Sequence, residues 1–400
     1  MHAKDVLSLK IIIGKEVIFI ENKTKTMQDN SVLNEIKYLR GMNDFLIDSR
    51  NSNRYRVIVK EQIGYTAYCF STPIYNLNTG KMIISKFEKT SNGYYFKGTN
   101  GTISVCQNRC VFETREGRII IFLQEKPEIK DKYNQRCSNI NITPTFNGIR
   151  FVVKQKNLDL LLKSEIRQES IYFNANCFSV MSEMFKPFLS VAPLYASDGK
   201  DCFSPVAIGY QDKGNQSYEI SLSHDIDNGS FNFEVNLYEP KLFQDTTVSS
   251  SFPYANNAFG AIGFIGRTKQ FGEQWLYSRP DFGKISDLTS RQIEKVFLHI
   301  PILNSSFDSV DVFIPEKRFC SFGSTWNNKV NASARIISSN NNDRYISIDA
   351  TTMFTNRVEH NLVYNEGLIL KKPKGKNDFI AISTGDCYSA PQILEIKFKN

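Results

Sequence analysis

The sequence predicts an all-β protein: a C-terminal antiparallel β-sandwich of jelly-roll type, preceded by a β-rich N-terminal region with one or two short helices. Three observations predict it. Short apolar runs with period-two alternation recur along most of the chain, each bounded by Ser, Asn, Gly, Pro or Asp, which is strand-and-turn patterning. Thirty Phe and eighteen Tyr stand against two Trp, and aromatic residues fit a pleated, half-buried surface. The 41% apolar and 22% charged content is that of an ordinary globular chain, neither disordered nor membrane-like.

Four hundred residues exceed what one core organises at roughly 150 residues per domain. Three segments are expected: 1–49, a strand and helix segment; 50–235, one or two β-rich domains; and 236–400, the sandwich. Lys10 to Glu21 reads as a strand or hairpin around Gly14. Val32, Leu33, Ile36 and Leu39 then recur at helical spacing, with Ser31 as a cap and Gly41 as a stop. YRVIVK, YTAYCF, KMIISKF, GYYFKG, TISVC, RIIIFL and IRFVVK follow as strands, with turns at Asn78-Thr79-Gly80, Asn100-Gly101 and Asn147-Gly148. Leu158, Leu160, Leu161, Leu162 and Ile166 suggest one short helix. YEISLS and SFNFEVNLY read as a hairpin turning at Asn228-Gly229, since both residues tolerate positive φ. From about residue 285 the alternation is strongest. KVFLHIPIL, SVDVFI, ARIIS, RYISIDA, GLILKK, DFIAIS and ILEIKF, with DTTVSS and AIGFIG before them, supply enough strands for a two-sheet sandwich.

Composition excludes several functions. The net charge of +8 is spread over the chain, and nucleic-acid binding calls for a clustered basic footprint; no nucleic-acid partner is expected. The densest basic run, KKPKGK at 371–376, reads as a solvated loop or as a contact for an acidic polymer such as a uronic-acid polysaccharide. Eight Cys are too few for a disulfide scaffold and read as reduced, partly buried thiols. Cys106 and Cys110 have a zinc-like spacing, but no second close pair completes four ligands. No signal peptide is recognisable, because Lys10 interrupts the apolar run Leu9, Ile11, Ile12, Ile13. No stretch approaches the roughly 18 apolar residues of a membrane span, and no membrane insertion is expected.

The search for chemistry returns little. GxSxG, HExxH, GxxxxGK[ST] and GxGxxG are all absent. Gly260, Gly263 and Gly266 are spaced by threes and read as bulge or close-packing positions. Only four His exist, at 2, 224, 299 and 360, and His224 beside Asp225 has no recognisable activated Ser. The expectation is therefore no enzyme; the alternative is a polysaccharide-active enzyme with its centre in 50–235 and a C-terminal binding module. Asp349, in ISIDATTMF, sits at a strand end where it accepts backbone N–H groups or serves as a metal ligand; no cofactor is expected beyond a possible calcium. Trp275, Tyr277 and Arg279, in the loop-like FGEQWLYSRPDFG, offer a ring and a guanidinium to a carbohydrate. Trp326 reads as a packed ring.

The last third also resembles a known family. KLFQDTTVSSSFPYANNAFGAIGFIG with Asp245, then IEKVFLHIPIL, Thr325-Trp326-Asn327-Asn328, YISIDATTMF, Asn365-Glu366-Gly367-Leu368 and Ala390-Pro391-Gln392-Ile393-Leu394-Glu395-Ile396 occur in order over 241–396. As a set they resemble the DNRLRE domain, also described as carbohydrate-binding module family 96. There are departures: QWLYSRPDFGKI stands in place of an Arg-rich stretch, and Phe322 where an aromatic, often Trp, is usual. The resemblance implies a β-sandwich of surface and secreted bacterial proteins, some of which bind polysaccharide. The expectation is a non-catalytic extracellular, cell-surface or virion protein. Its partner would be a polysaccharide or cell-surface glycan, or copies of itself and other proteins of an assembly such as a phage tail, virion or surface filament.

Overall fold

The structure, a computed structural model, describes residues 12–13, 16–17, 31–42, 45–48, 55–76, 81–82, 86–98, 100–129, 138–182, 186–200, 202–281, 285, 293–304, 310–336, 344–359, 366–373 and 378–399. Strands take 56% of the residues and helices 5%, so the all-β expectation holds. Two compact units divide the chain, 1–44 and 45–400. In the first, two-residue strands Ile12–Ile13 and Glu16–Val17 pair antiparallel, and helix α1 spans Ser31–Arg40. The helix ends where Gly41 takes φ +63°. There the Gly41 and Met42 amides donate to Tyr38 O and Lys37 O, the double bond of a left-handed C-cap.

The second unit contains two sandwiches. The first (N) packs sheet N1 on sheet N2, each of eight strands. N1 runs Ala207–Gly214, Ser217–Ser223, Asn157–Ser164, Gly117–Phe122, Arg109–Thr114, Thr102–Cys106, Gly93–Lys97 and Glu88–Thr90. N2 runs Glu128–Ile129, Ile140–Pro144, Gly148–Val153, Ser230–Leu237, Lys186–Ser197, Cys177–Ser182 and Ser170–Asn174, with Phe203–Ser204 paired to Lys186–Ser197. Between them lies one core, with Phe112, Ile119, Leu160 and Leu162 from N1 against Phe151, Phe178, Phe231 and Phe233 from N2. Phe151 and Phe233 face each other across neighbouring strands with centroids 4.5 Å apart.

The second sandwich (C) packs a seven-stranded sheet, C1, on a six-stranded sheet, C2. C1 contains Phe243–Ser249, Ile262–Thr268, Gly272–Pro280, Asp311–Pro315, Ala332–Ile336, Leu368–Lys371 and Phe379–Ser383. C2 runs Leu46–Ile47, Arg56–Lys60, Tyr65–Phe70, Ile393–Phe398, Ile293–Pro301 and Tyr345–Asp349. Their core includes Ile265, Leu276, Leu370, Leu298, Ile348 and Leu394. The outer face of N2 also packs on C1, through Cys177, Ala192 and Leu194 against Phe259, Phe264 and Ala381. The layers therefore stack in the order N1, N2, C1, C2.

Three local expectations are corrected. Residues 157–164 form a strand whose burial alternates at every position; the four Leu satisfy period two through Leu158, Leu160 and Leu162, leaving Leu161 outside. Ser217–Ser223 and Ser230–Leu237 do not pair. The first lies in N1 and the second in N2, because the intervening residues are long enough to cross the roughly 10 Å between packed sheets. FGEQWLYSRP is no loop but an interior strand of C1, bonded along both edges. Thr351–Glu359 forms helix α2. As for the segments, Arg56–Lys60 and Tyr65–Phe70 join the C sandwich, where Tyr65–Phe70 pairs with Ile393–Phe398. All nine strands foreseen in the last third are present.

Candidate functional site

The strand Gly272–Pro280 alternates its side chains, so Trp275, Tyr277 and Arg279 share the face of C1 turned away from the C core. The segment 316–331, joining Asp311–Pro315 to Ala332–Ile336, folds over this face and packs Phe319, Val330 and Trp326 on Val248, Tyr277 and Ile369. Two of the three residues expected to meet carbohydrate are therefore sealed. Tyr277 is fully buried and donates to Val330 O at 2.6 Å. Arg279 donates to Gln244 Oε1 and lies 5.6 Å from the Phe319 ring centroid. Trp275, at the open end, stays half-buried.

What the fold adds to Trp275 is a second ring and two cations. Both tryptophans of the chain meet here, Trp275 and Trp326 edge to face with centroids 5.4 Å apart. The Lys329 ammonium lies 4.0 Å from the Trp326 centroid and 5.4 Å from that of Trp275. Lys371 lies 4.7 Å from Trp275 and 4.3 Å from Phe313. Cations over ring faces are attracted by the ring quadrupole. Lys329 also donates to Trp326 O at 2.9 Å, and Trp275 Nε1 donates to Glu273 at 2.8 Å. Burial between the rings pulls the Lys329 pKa below its ordinary value, partly offset by the Glu273 carboxylate.

Beside this cage stand the exposed rings. Tyr254 is 83% exposed, Phe322 59% and Phe252 36%. Loops 250–258 and 316–331 are tied together: Asn256 Nδ2 donates to Ser321 O at 2.6 Å and Ser324 O at 2.8 Å, and the Asn327 amide donates to Pro253 O at 3.1 Å. Thr325-Trp326-Asn327-Asn328 is a tight turn in which Asn328 Oδ1 accepts from the Thr325 amide at 2.6 Å and hydroxyl at 3.0 Å. That turn is what aims Trp326 at Trp275. Trp275 carried a sequence signal, its ring close to Tyr277 and Arg279 in the sequence. Lys329, Phe313 and Glu273 carried none, and Lys371 was visible only as the first residue of the KKPKGK run.

The remaining expected residues lie elsewhere. Asp349 is exposed, and its Oδ1 accepts from the Thr351 amide at 2.9 Å and hydroxyl at 2.5 Å, a local turn leading into α2. Among the described residues no group of three or more His, Cys, Asp or Glu is placed to hold a metal ion. Asp245 is buried in the C sandwich. Gly367 takes φ +86°, with Phe319 and Ser278 O where a Cβ would stand. Pro391 leads into the strand Ile393–Phe398, and Asn365 falls outside the described residues.

A cleft of about 710 Å³ opens between the sandwiches, lined by Phe203, His224 and Asp225 on one side and Arg267, Lys269 and Phe379 on the other. It holds the His224-Asp225 pair. His224 Nδ1 accepts from the Ile226 amide at 3.1 Å and Nε2 faces Gln155 O at 3.3 Å, so both ring nitrogens are committed and the proton sits on Nε2. Burial lowers its pKa further. The seven described cysteines form no disulfide with one another.

Fold and site together define a two-sandwich all-β protein with an aromatic and lysine surface on the outer sheet face of its second sandwich. No family model matches the chain, and no curated protein matches it. Among solved structures, an alignment with the N-terminal domain of the Streptococcus gordonii adhesin Sgo0707 covers 89% of this chain and 90% of that one. Sequence identity is 7% and the TM-score 0.18; at that score no argument about fold or function rests on it.

Proposed function

We propose that the protein is a non-catalytic, extracellular or surface-displayed binding protein that holds a glycan on the Trp275/Trp326 surface. The observation that carries this reading is the meeting of Trp275 and Lys371, on neighbouring strands of C1, with Trp326 and Lys329 of a loop that also bears the exposed Phe322 and is tied to the loop of the exposed Tyr254. Flat rings pack against sugar C–H groups, and the ammonium groups favour a glycan bearing carboxylate or sulfate. The KKPKGK reading as an acidic-polymer contact points the same way, since Lys371 begins that run. Kinship of residues 236–400 with the DNRLRE module is part of the proposal and rests on the six ordered segments. The absence of catalysis is likewise our reading, supported in the cleft by the committed nitrogens of His224.

Glycan-array screening followed by calorimetry tests it. Wild-type protein is expected to bind an acidic glycan, and Trp326→Ala to weaken that binding by about tenfold, or 1.4 kcal/mol. Lys371→Gln should weaken binding less and flatten its salt dependence. A stable large oligomer with no glycan bound would replace adhesion with a structural role in an assembly. Reducing-sugar release from a polysaccharide panel would replace it with an enzyme.

A further inference from the structure

The seam between the sandwiches buries a cluster of carboxylates, Glu234, Glu239, Asp245 and Asp386. Residues 384–392 connect the C1 strand Phe379–Ser383 to the C2 strand Ile393–Phe398 and pass over N2 on the way. Three carboxylates anchor this segment, two reaching it from neighbouring strands and one of its own. Glu234, fully buried on the N2 strand Ser230–Leu237, accepts the Tyr388 amide on Oε2 at 3.1 Å and the Ser389 amide on Oε1 at 3.0 Å. Asp386 pairs with Lys241, both side chains only 10% exposed. Asp245, 1% exposed, takes the Gly385 amide and Gln392 Nε2 on one oxygen, while its other oxygen, Oδ1, has no partner.

We propose that the 384–392 segment is a clasp joining the sandwiches, and that Asp245 beneath it is a proton-operated lock that tightens the clasp under mild acid. The geometry sets the direction. Lys241 is engaged by Asp386 and by Ala258 O at 3.2 Å, so it acts on Asp245 only through space, and the donors that meet Asp245 directly, the Gly385 amide, Gln392 Nε2 and the Ser278 hydroxyl, are neutral. An isolated buried carboxylate prefers to take up a proton. Asp386 is a second negative charge nearby, and Lys241 is the cation that opposes it. Glu239 also adjoins the clasp, its amide donating to the hydroxyl of the clasp's own Tyr388 at 3.1 Å. Arg150 lies opposite Glu234 on the neighbouring strand, with its guanidinium donating to Tyr195 and Asn232. Burial pushes the Asp245 carboxyl up to about 6 and raises that of Asp386 as well.

The sign follows from linkage. A carboxyl with a folded pKa above its unfolded value binds more protons when the clasp is closed, so closure strengthens as pH falls through the folded value and levels off below the unfolded one. Amide hydrogen exchange on the full chain, corrected for intrinsic rates, reads this directly. Protection at Gly385, Tyr388 and Ser389 should rise about tenfold per unit as pH drops from 6 towards 4.5 and be flat above 7. Asp245→Asn should lose that part of the slope and be more protected than wild type at pH 7.5. Wild-type protection that is constant or falls on acidification overturns the proposal without recourse to any variant, and an unchanged slope in Asp245→Asn overturns the role of that residue.

Discussion

The two sandwiches are built from similar strands but close in different ways. The N sandwich draws its described strands from one continuous stretch, 88–237. The C sandwich draws strands from both ends of the second unit: Tyr65–Phe70 pairs with Ile393–Phe398, so Ile396 sits opposite Ala67 and Leu394 opposite Cys69. Closing so long a loop costs entropy before its contacts repay it. The N sandwich is therefore expected to fold first and the C sandwich to wait for the last strand. The sandwich completed last is also the one bearing the aromatic and lysine surface, so display of that surface depends on the whole unit.

The strongest way to break this contrast is to end the chain after Gln392. Without Ile393–Phe398, C2 loses the strand between Tyr65–Phe70 and Ile293–Pro301. Amides of those two strands should lose all slow exchange, while those of Gly148–Val153 and Ser230–Leu237 remain protected. Collapse of both sandwiches together would show one cooperative unit and end the distinction. Next in size is Phe233→Ala, which removes a ring stacked on Phe151 in the N core and should cost about 3–5 kcal/mol in denaturant unfolding. If the sandwiches are separable, that loss should appear in the N transition, with the C transition nearly unmoved.

Thiol labelling sharpens the contrast chemically. Burial pushes Cys110, Cys177 and Cys387 up to about 12, so at pH 8 they stay protonated, and the thiolate is the reactive form. Cys202 and Cys320 are exposed. Iodoacetamide at pH 8 should modify those two at least a hundred times faster than the buried three, and the ordering should vanish in denaturant. Cys110 belongs to the N core and Cys177 and Cys387 to the seam. Their relative exposure in partial denaturant then reports whether the seam opens before the N core.

How much was legible beforehand divides along the same physical line. Strand identity was readable wherever alternation and bounding turns agreed, as across all nine foreseen strands of the last third. Partnership between strands was not. The run at 224–229 has hairpin chemistry, with Asn228 at φ +54°, yet it changes sheets, and nothing local distinguishes a hairpin from a crossing. Neither the meeting of Trp275 with a second indole nor the burial of Tyr277 and Arg279 was legible, since both depend on a segment 40 to 50 positions away folding over that strand. Lys329 illustrates the limit: only the turn at Thr325–Asn328 and the strand register bring its ammonium to both indoles.

The smallest predicted effect bears on the sharpest misreading. As a helix, 158–166 would place Leu158, Leu161 and Leu162 on one face at spacings of three and four. As the strand it is, Leu160 and Leu162 point into the N core at zero exposure while Leu161 is 43% exposed. The two geometries give opposite costs at adjacent positions. Leu161→Gln should change stability by less than about 0.5 kcal/mol, as surface substitutions do, whereas Leu162→Ala should cost about 2–5 kcal/mol. Equal penalties at both positions would mean Leu161 is covered in solution. The outer face of N1 would then be a contact surface, and the N sandwich would share the task of binding that we assign to the C sandwich alone.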